Sequence, residues 1–190
     1  GTDRHDILTS SYQFTLTGVV LGSLILLWVG ANYLSYRLNV SLSQLNKVDD
    51  LVSFKRELKS ILASFTYQKG IQFCLYQPEN HAFSTIDYHG NKSTVHCDKA
   101  LAERFTPDIM AYRSGKYADP LACKLKIHQR HYCIPLHSRK QLVAVLYVNA
   151  NLPISQSILR MIRDYTEVSL SNLLLHHQLS SKDLMTQLDN

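Results

Sequence analysis

Tyr132-Cys-Ile-Pro-Leu-His-Ser-Arg-Lys-Gln-Leu-Val-Ala-Val-Leu-Tyr-Val148 is the stretch whose reading decides the fold. Two apolar runs, Tyr132–Leu136 and Leu142–Val148, flank a short basic segment at His137–Lys140. That arrangement predicts a β-hairpin. Pro135 has no N–H to give to a ladder, so its strand is expected to be an edge, or to be interrupted there.

The segments around the hairpin extend the pattern. Gly70 ends a helix. Ile71–Tyr76 reads as a strand closed by the turn-prone Gln77-Pro-Glu-Asn80, and Phe83–Tyr88 as a second strand ended by His89-Gly-Asn-Lys92. Asp98–Ser114 has helical spacing through Leu101, Phe105, Ile109 and Met110, with Gly115 as its stop. Leu121–His128 alternates Cys123, Leu125 and Ile127 with Lys124, Lys126 and His128, which predicts a strand. Ser155–Leu179 is a long helix entered through Pro153. This order gives an α+β fold with an antiparallel sheet and flanking helices.

With these residues in hand, the chain resembles the GAF family of sensory domains over roughly Leu51–Leu179. The hairpin carries the likeness: apolar-Pro-Leu at Ile134–Leu136, a short turn, then Leu142–Val148, with Ala144 where the family usually has Gly. A PAS domain is the nearest rival, but it usually lacks a Pro-Leu hairpin followed by a terminal helix. The resemblance implies a small-molecule pocket between the sheet and the middle helices, or a dimerisation module without ligand. Two subfamily marks are missing. Asn91-Lys92 is followed by Ser93-Thr94-Val95 rather than the cyclic-nucleotide pattern, and His96-Cys97 reverses the order used for covalent bilin attachment.

The N-terminal region differs in character. Ile7–Tyr36 carries no charged residue, and its core, Phe14–Tyr36, is 23 residues long. A bilayer core of about 30 Å needs roughly 20 helical residues, so residues 14–36 are expected to span a membrane. Tyr12, Trp28, Tyr33 and Tyr36 lie towards the ends, where amphipathic rings favour the interface. The run is long and follows no basic cluster, unlike a cleaved signal peptide. The rival reading is a wholly buried helix. Arg37, Lys47, Lys55 and Arg56 follow the span and only Arg4 precedes it, which places the C-terminal side in the cytoplasm and leaves residues 1–13 as an extracytoplasmic flank. The expected location is the bacterial inner membrane, with one visible span and a cytoplasmic sensor. Gly18 and Gly22 form a Gly-x-x-x-Gly pair that lets two helix backbones approach.

Residues 37–50 read as a linker helix. Leu38, Leu45 and Val52 repeat every seven residues; Leu51, Leu58 and Phe65 do so on a shifted strip, with Phe54 and Ile61 between them. A seven-residue period favours a coiled coil. The shift predicts a break near Asp49-Asp50, where an Asp can cap a new helix. Packing of residues 51–65 on their own domain explains that second strip equally well.

The chain's net charge of +5 is spread without a run of like charges, so no nucleic-acid partner is expected. Cys74, Cys97, Cys123 and Cys133 form no Cys-x-x-Cys pair, so no structural zinc is expected and the thiols read as reduced and mostly small core fillers. Cys97 beside His96 is the one adjacent soft-ligand pair, since a neighbouring His can lower a thiol pKa or share a haem or metal. Cys133 and Tyr76 are further ligand-binding candidates. His128, His131 and His137 lie close in sequence, but a metal site needs three converging ligands and sequence shows no convergence, so no metal or cofactor is assigned. Lys124, Lys126, Arg130, Arg139 and Lys140 form either a basic patch for an acidic ligand or a solvated strand face. No phosphate loop, nucleophile triad or carboxylate pair appears, so these residues are not expected to be catalytic.

Met161, Tyr165, Val168, Asn172, Leu175 and Leu179 alternate by four and three, the seam of a dimeric coiled coil whose single Asn sets register. Ile158, Ile162 and Leu173 mark a second strip, able to face the sheet. Beyond them, Asp183-Leu-Met-Thr-Gln-Leu-Asp-Asn190 resembles the opening of a GGDEF domain, with matches at Asp183, Thr186, Leu188 and Asn190. Met185 and Gln187 depart from its usual Leu and Gly. That resemblance implies that residues 180–190 begin a diguanylate cyclase domain. Residues 51–179 would be the GAF-like sensor and the whole region the input half of a homodimeric, membrane-anchored cyclase. Its partners would be a second copy, the membrane and the downstream GGDEF domain. Two other readings stay open: a ligand-free anchoring and dimerisation module, and the input of another output such as a histidine kinase.

Overall fold

The computed structural model describes residues 2–66, 68–86, 91–112 and 119–188. It divides into two compact units, residues 1–38 and 39–190.

The first unit lies within helix α1, Thr2–Ser43. An 18-residue window of the helix has a mean hydropathy of 2.0, and none of that window is buried. Phe14 is 82% exposed and Trp28 70%. Its polar side chains bond to their own helix: the Thr9 hydroxyl to the His5 carbonyl at 2.8 Å, Thr15 to Ser11 at 2.9 Å, and the Asn32 amide to Trp28 at 2.9 Å. Where no water is available, such back-bonding satisfies groups that would otherwise be costly. The Arg37 guanidinium lies 5.9 Å from the centre of the Tyr33 ring, within cation–π range. At Gly18 and Gly22 an added Cβ would meet nothing within 4 Å, so this strip of the helix surface is open.

In the second unit α1 ends at Ser43 and one 3₁₀ turn, Gln44–Lys47, follows. Helix α2, Leu51–Thr66, starts where the Asp50 carboxylate accepts from the Ser53 N–H at 2.6 Å. This is the expected break, and the expected Asp cap. Phe54, Leu58, Ile61 and Leu62 are buried, so α2 packs on its own domain rather than continuing a coiled coil.

The sheet is six-stranded and antiparallel in the order β3-β2-β1-β6-β5-β4. Its strands are β1 Gln68–Gln77, β2 Ala82–Ile86, β3 Lys92–His96, β4 Met110–Tyr112, β5 His131–Ser138 and β6 Gln141–Ala150. The expected hairpin is β5–β6, paired from His131↔Asn149 to Ser138↔Gln141. Strand β6 lies between β1 and β5, and Ala144–Val148 are buried on both faces. Strand β4 pairs with β5 only at His131, Tyr132 and Cys133, so β5 is an edge at Pro135, where the missing N–H costs nothing.

Arg139 and Lys140 form the two-residue turn, both at positive φ, 51° and 65°. That matches a type I′ turn, which favours Asn-Gly. Replacing Lys140 with Gly relieves a left-handed β-carbon and is expected to raise the unfolding free energy by about 0.5–1 kcal/mol, read from the urea midpoint.

Three sequence expectations are corrected. The helix expected at Asp98–Ser114 is only α3, Lys99–Glu103, followed by an irregular stretch and then β4. Pro107 disfavours helix at Thr106, and Ser114 with Gly115 lies outside the described residues. The strand expected at Leu121–His128 is instead α4, Pro120–Lys124, followed by a turn through Lys126 at φ 58°. Asp119 as N-cap and Pro120 at N1 outweigh the short alternation. Strand β3 was not expected at all, because its residues are largely exposed and carry no apolar period. Of the expected strand Phe83–Tyr88, residues 87 and 88 lie outside the described residues.

Helix α5, Gln156–Leu188, packs on β5 and on the Gln44–Lys47 turn. Leu159, Ile162, Thr166, Ser169, Leu170 and Leu173 form its buried strip, which includes Ile162 and Leu173 of the second strip read from sequence.

Candidate functional site

The two sheet faces have different covers. Phe73 of β1 meets Phe54 of α2 at 5.9 Å between ring centres, so α2 covers that face, and Leu146 and Ile134 share it by register. On the other face Cys74, Cys133, Val145 and Tyr147 pack with Phe83 of β2, Leu101 and Phe105 around α3, and Leu121, Ala122 and Ile127 around α4. This second face is where the resemblance places a pocket, and it is filled by the chain's own side chains. Phe83 meets Tyr76 in a tilted pair at 5.1 Å and Phe105 edge-on at 5.9 Å.

Tyr147 is the largest fully buried side chain and needs an acceptor for its hydroxyl. It donates to the Asp119 carboxylate, 2.9 Å from each oxygen. The same carboxylate caps α4 by accepting from the Ala122 N–H at 2.7 Å. Asp119 therefore fastens the start of α4 to the centre of the sheet. At the other end of α4, the Lys124 ammonium donates to the His96 carbonyl at 2.7 Å. Neither Asp119 nor Tyr147 was singled out from sequence.

Burial governs the acid–base behaviour of this core. It pushes the Cys74 thiol up to about 12, with Lys55 opposing and Asp119 adding to the rise. Burial also raises Cys133 and Tyr147, each reinforced by the Asp119 charge. Because the folded pKa of Cys74 lies above its unfolded value, its contribution to stability is complete below about pH 9 and is lost as pH rises towards 12. The unfolding free energy, read from the urea midpoint, is therefore expected to stay flat to about pH 8.5 and then fall, at up to about 1.4 kcal/mol per pH unit per group. The double change Cys74→Val with Cys133→Val should flatten that fall. A midpoint constant to about pH 10.5 in the parent chain would contradict the burial.

Three of the sequence-based candidates, Cys133, Tyr76 and Cys97, meet at this cluster. Cys133 lies in the buried cluster, and Tyr76 is half-buried against it. His96 ends β3 and is exposed, whereas Cys97, the next residue, is half-buried and directs its thiol to the His81 carbonyl at 3.3 Å. Burial raises the Cys97 pKa, Lys124 lowers it and Asp98 raises it. The His131 ring bonds the Gln129 carbonyl and the His137 ring the Phe105 carbonyl, each through one nitrogen. Among the described residues no group of three His, Cys, Asp or Glu side chains is placed to hold a metal. The basic residues also disperse: Lys124 ends α4, Lys126 is in the following turn, and Arg139 and Lys140 form the hairpin loop.

A cleft of about 320 Å³ opens beside this core. His96, Cys97 and Asp98, Leu101 and Arg104 at α3, and Pro120 and Lys124 of α4 line it.

On the α5 surface, Val168, Asn172 and Leu175 are exposed, while Met161 and Tyr165 are half-buried. The side chain of Leu179 lies outside the described residues. Tyr165 donates its hydroxyl to the Asn39 amide oxygen, and Ser169 bonds Asn46 at 2.9 Å. These contacts tie the end of α1 and the turn after it to α5.

No sequence family matches the chain, and no curated protein does. Solved structures do match in fold. The GAF domain of an Acinetobacter phosphoenolpyruvate-protein phosphotransferase aligns with a TM-score of 0.55 at 11% identity, over 74% of this chain and 92% of that one. A GAF domain/HD domain protein from Geobacter sulfurreducens aligns at 0.51 and 16%, over 73% and 98%. Residues 122 to 287 of a methyl-accepting chemotaxis protein align at 0.55 and 10%, over 75% and 99%. At such identities the likeness is one of fold. The chain carries a GAF-like α+β domain, preceded by one long apolar helix.

Proposed function

We propose that this chain is the sensory and dimerisation region of a membrane-anchored signalling protein, and that its output is a diguanylate cyclase. One observation carries the reading: helix α5 has two working faces. Its buried strip is part of the domain core, while Val168, Asn172 and Leu175 present an exposed seam with the alternation of a two-stranded coiled coil. A shift in the core therefore reaches a surface suited to a second copy. The bonds that Tyr165 and Ser169 donate to the Asn39 and Asn46 amide oxygens add an input from the N-terminal side. The unburied apolar window of α1 and its self-satisfied polar groups support membrane anchoring, and Gly18 and Gly22 offer a small-residue contact there. The likeness of Asp183–Asn190 to a GGDEF opening supports the cyclase output, with the domain on the cytoplasmic side of a bacterial inner membrane.

Cyclic di-GMP production by the protein carrying this region, with and without residues 1–182, tests the proposal. Product from both at different rates is expected. Val168→Glu with Leu175→Glu should convert dimer to monomer in sedimentation and suppress product. Product that persists unchanged from a monomeric variant overturns the reading. The filled second face of the sheet favours one alternative, a ligand-free anchoring and dimerisation module. That reading predicts no thermal stabilisation by any small molecule.

A further inference from the structure

We infer that the cleft between α3, α4 and the end of β3 binds a small carboxylate or phosphate through Arg104 and Lys124. This deepens the sensory reading and rests on it.

The deep apolar region cannot take a ligand without displacing Tyr147, Phe83 and Leu121, all fully buried. The cleft beside it needs no such change. Its volume of about 320 Å³ suits a small metabolite. Buried Leu101 gives it an apolar wall, while Arg104 and Lys124 bring two permanent positive charges against the single carboxylate of Asp98. His96 adds a third nitrogen-bearing side chain to the lining. Among the described residues neither Arg104 nor Lys124 has an ion-pair partner. The Lys124 ammonium spends one donor on the uncharged His96 carbonyl and keeps two. An anion is a stronger partner than a carbonyl, because charge-assisted bonds are roughly twice as strong as neutral ones. Arg104 adds a planar fork matched to two oxygens of either group.

The position also gives the ligand a consequence. Arg104 follows α3, and Lys124 ends α4, whose start is fastened to Tyr147 through Asp119. An anion held by both cations ties α3 to α4 across the mouth of the filled face. Binding then stabilises the closed arrangement of that face.

The full chain in detergent micelles, titrated separately with sodium phosphate and sodium succinate at constant ionic strength, tests this. A saturable rise in melting temperature with at least one of them is expected, and the stronger response identifies whether phosphate or carboxylate is the natural chemistry. Arg104→Gln and Lys124→Gln should each weaken the response by about tenfold or more, and Lys126→Gln should leave it intact. Three outcomes overturn the site: an equal rise with sodium chloride, no rise with either anion, or an undiminished rise in both variants. The sensory reading fails separately. Saturable anion binding that leaves cyclic di-GMP output unchanged keeps the site and removes that role. Output governed by an uncharged compound, with no anion binding, does the reverse.

Discussion

Asp119→Ala is expected to lower the unfolding free energy by about 2–4 kcal/mol. Two losses combine. Removing an Asp N-cap costs about 0.5–2 kcal/mol, here the bond to the Ala122 N–H. Leaving a buried hydroxyl without its acceptor costs about 1–3 kcal/mol, and Tyr147 has no exposed surface through which water can replace the carboxylate. Tyr147→Phe alone removes one bond and keeps the cap, so a loss near 1 kcal/mol is expected. The double variant should be less damaged than the sum of the two, by about 1–2 kcal/mol, because the phenylalanine ring has no hydroxyl to strand. Urea unfolding of the four chains reads this directly. Strict additivity would mean that Tyr147 and Asp119 do not act as a unit.

Phe54→Ala is expected to cost about 3–5 kcal/mol, the range for emptying a buried aromatic site. Phe54 has no exposed surface and lies ring to ring with Phe73 on the strand next to the centre of the sheet. The loss should appear in the cooperative unfolding of the domain and should not depend on protein concentration. If α2 were instead part of a coiled-coil linker, the same change would weaken self-association and spare the domain. Leu58→Ala, at a second fully buried position of α2, should follow the same pattern at about 2–5 kcal/mol.

Much of this architecture was legible in the chain, for identifiable reasons. The hairpin was plain because its apolar runs are long and its turn is polar. The break before α2 was plain because a heptad strip shifts register beside two Asp residues. Pro135 marked the edge through the chemistry of its own nitrogen. The losses came where elements are short. Three apolar residues at Cys123, Leu125 and Ile127 mimic a strand, while the Asp119-Pro120 pair that starts α4 is the more physical signal. Strand β3 has no buried face, so period has nothing to report there. The Tyr147–Asp119 bond joins residues 28 apart, and no local pattern carries such a pairing. The cleft was partly legible: His96, Cys97 and Lys124 stood out in the sequence, but Arg104, at the C-terminal end of α3, carried no signal of its own.

The central ladder of the sheet has a consequence for how the chain acquires its shape. Cys74 pairs with Val145, 71 residues later in sequence, whereas Ser138 pairs with Gln141 across its own turn. Closing the first contact costs far more chain entropy than closing the second, and topologies rich in distant contacts fold slowly. The β5–β6 hairpin is therefore the natural early structure. Strand β1, although the first strand made, has to wait on the ribosome with one edge unpaired until β6 emerges. Any fragment that ends before Gln141 leaves that strand without its central partner, and such a fragment should aggregate rather than fold.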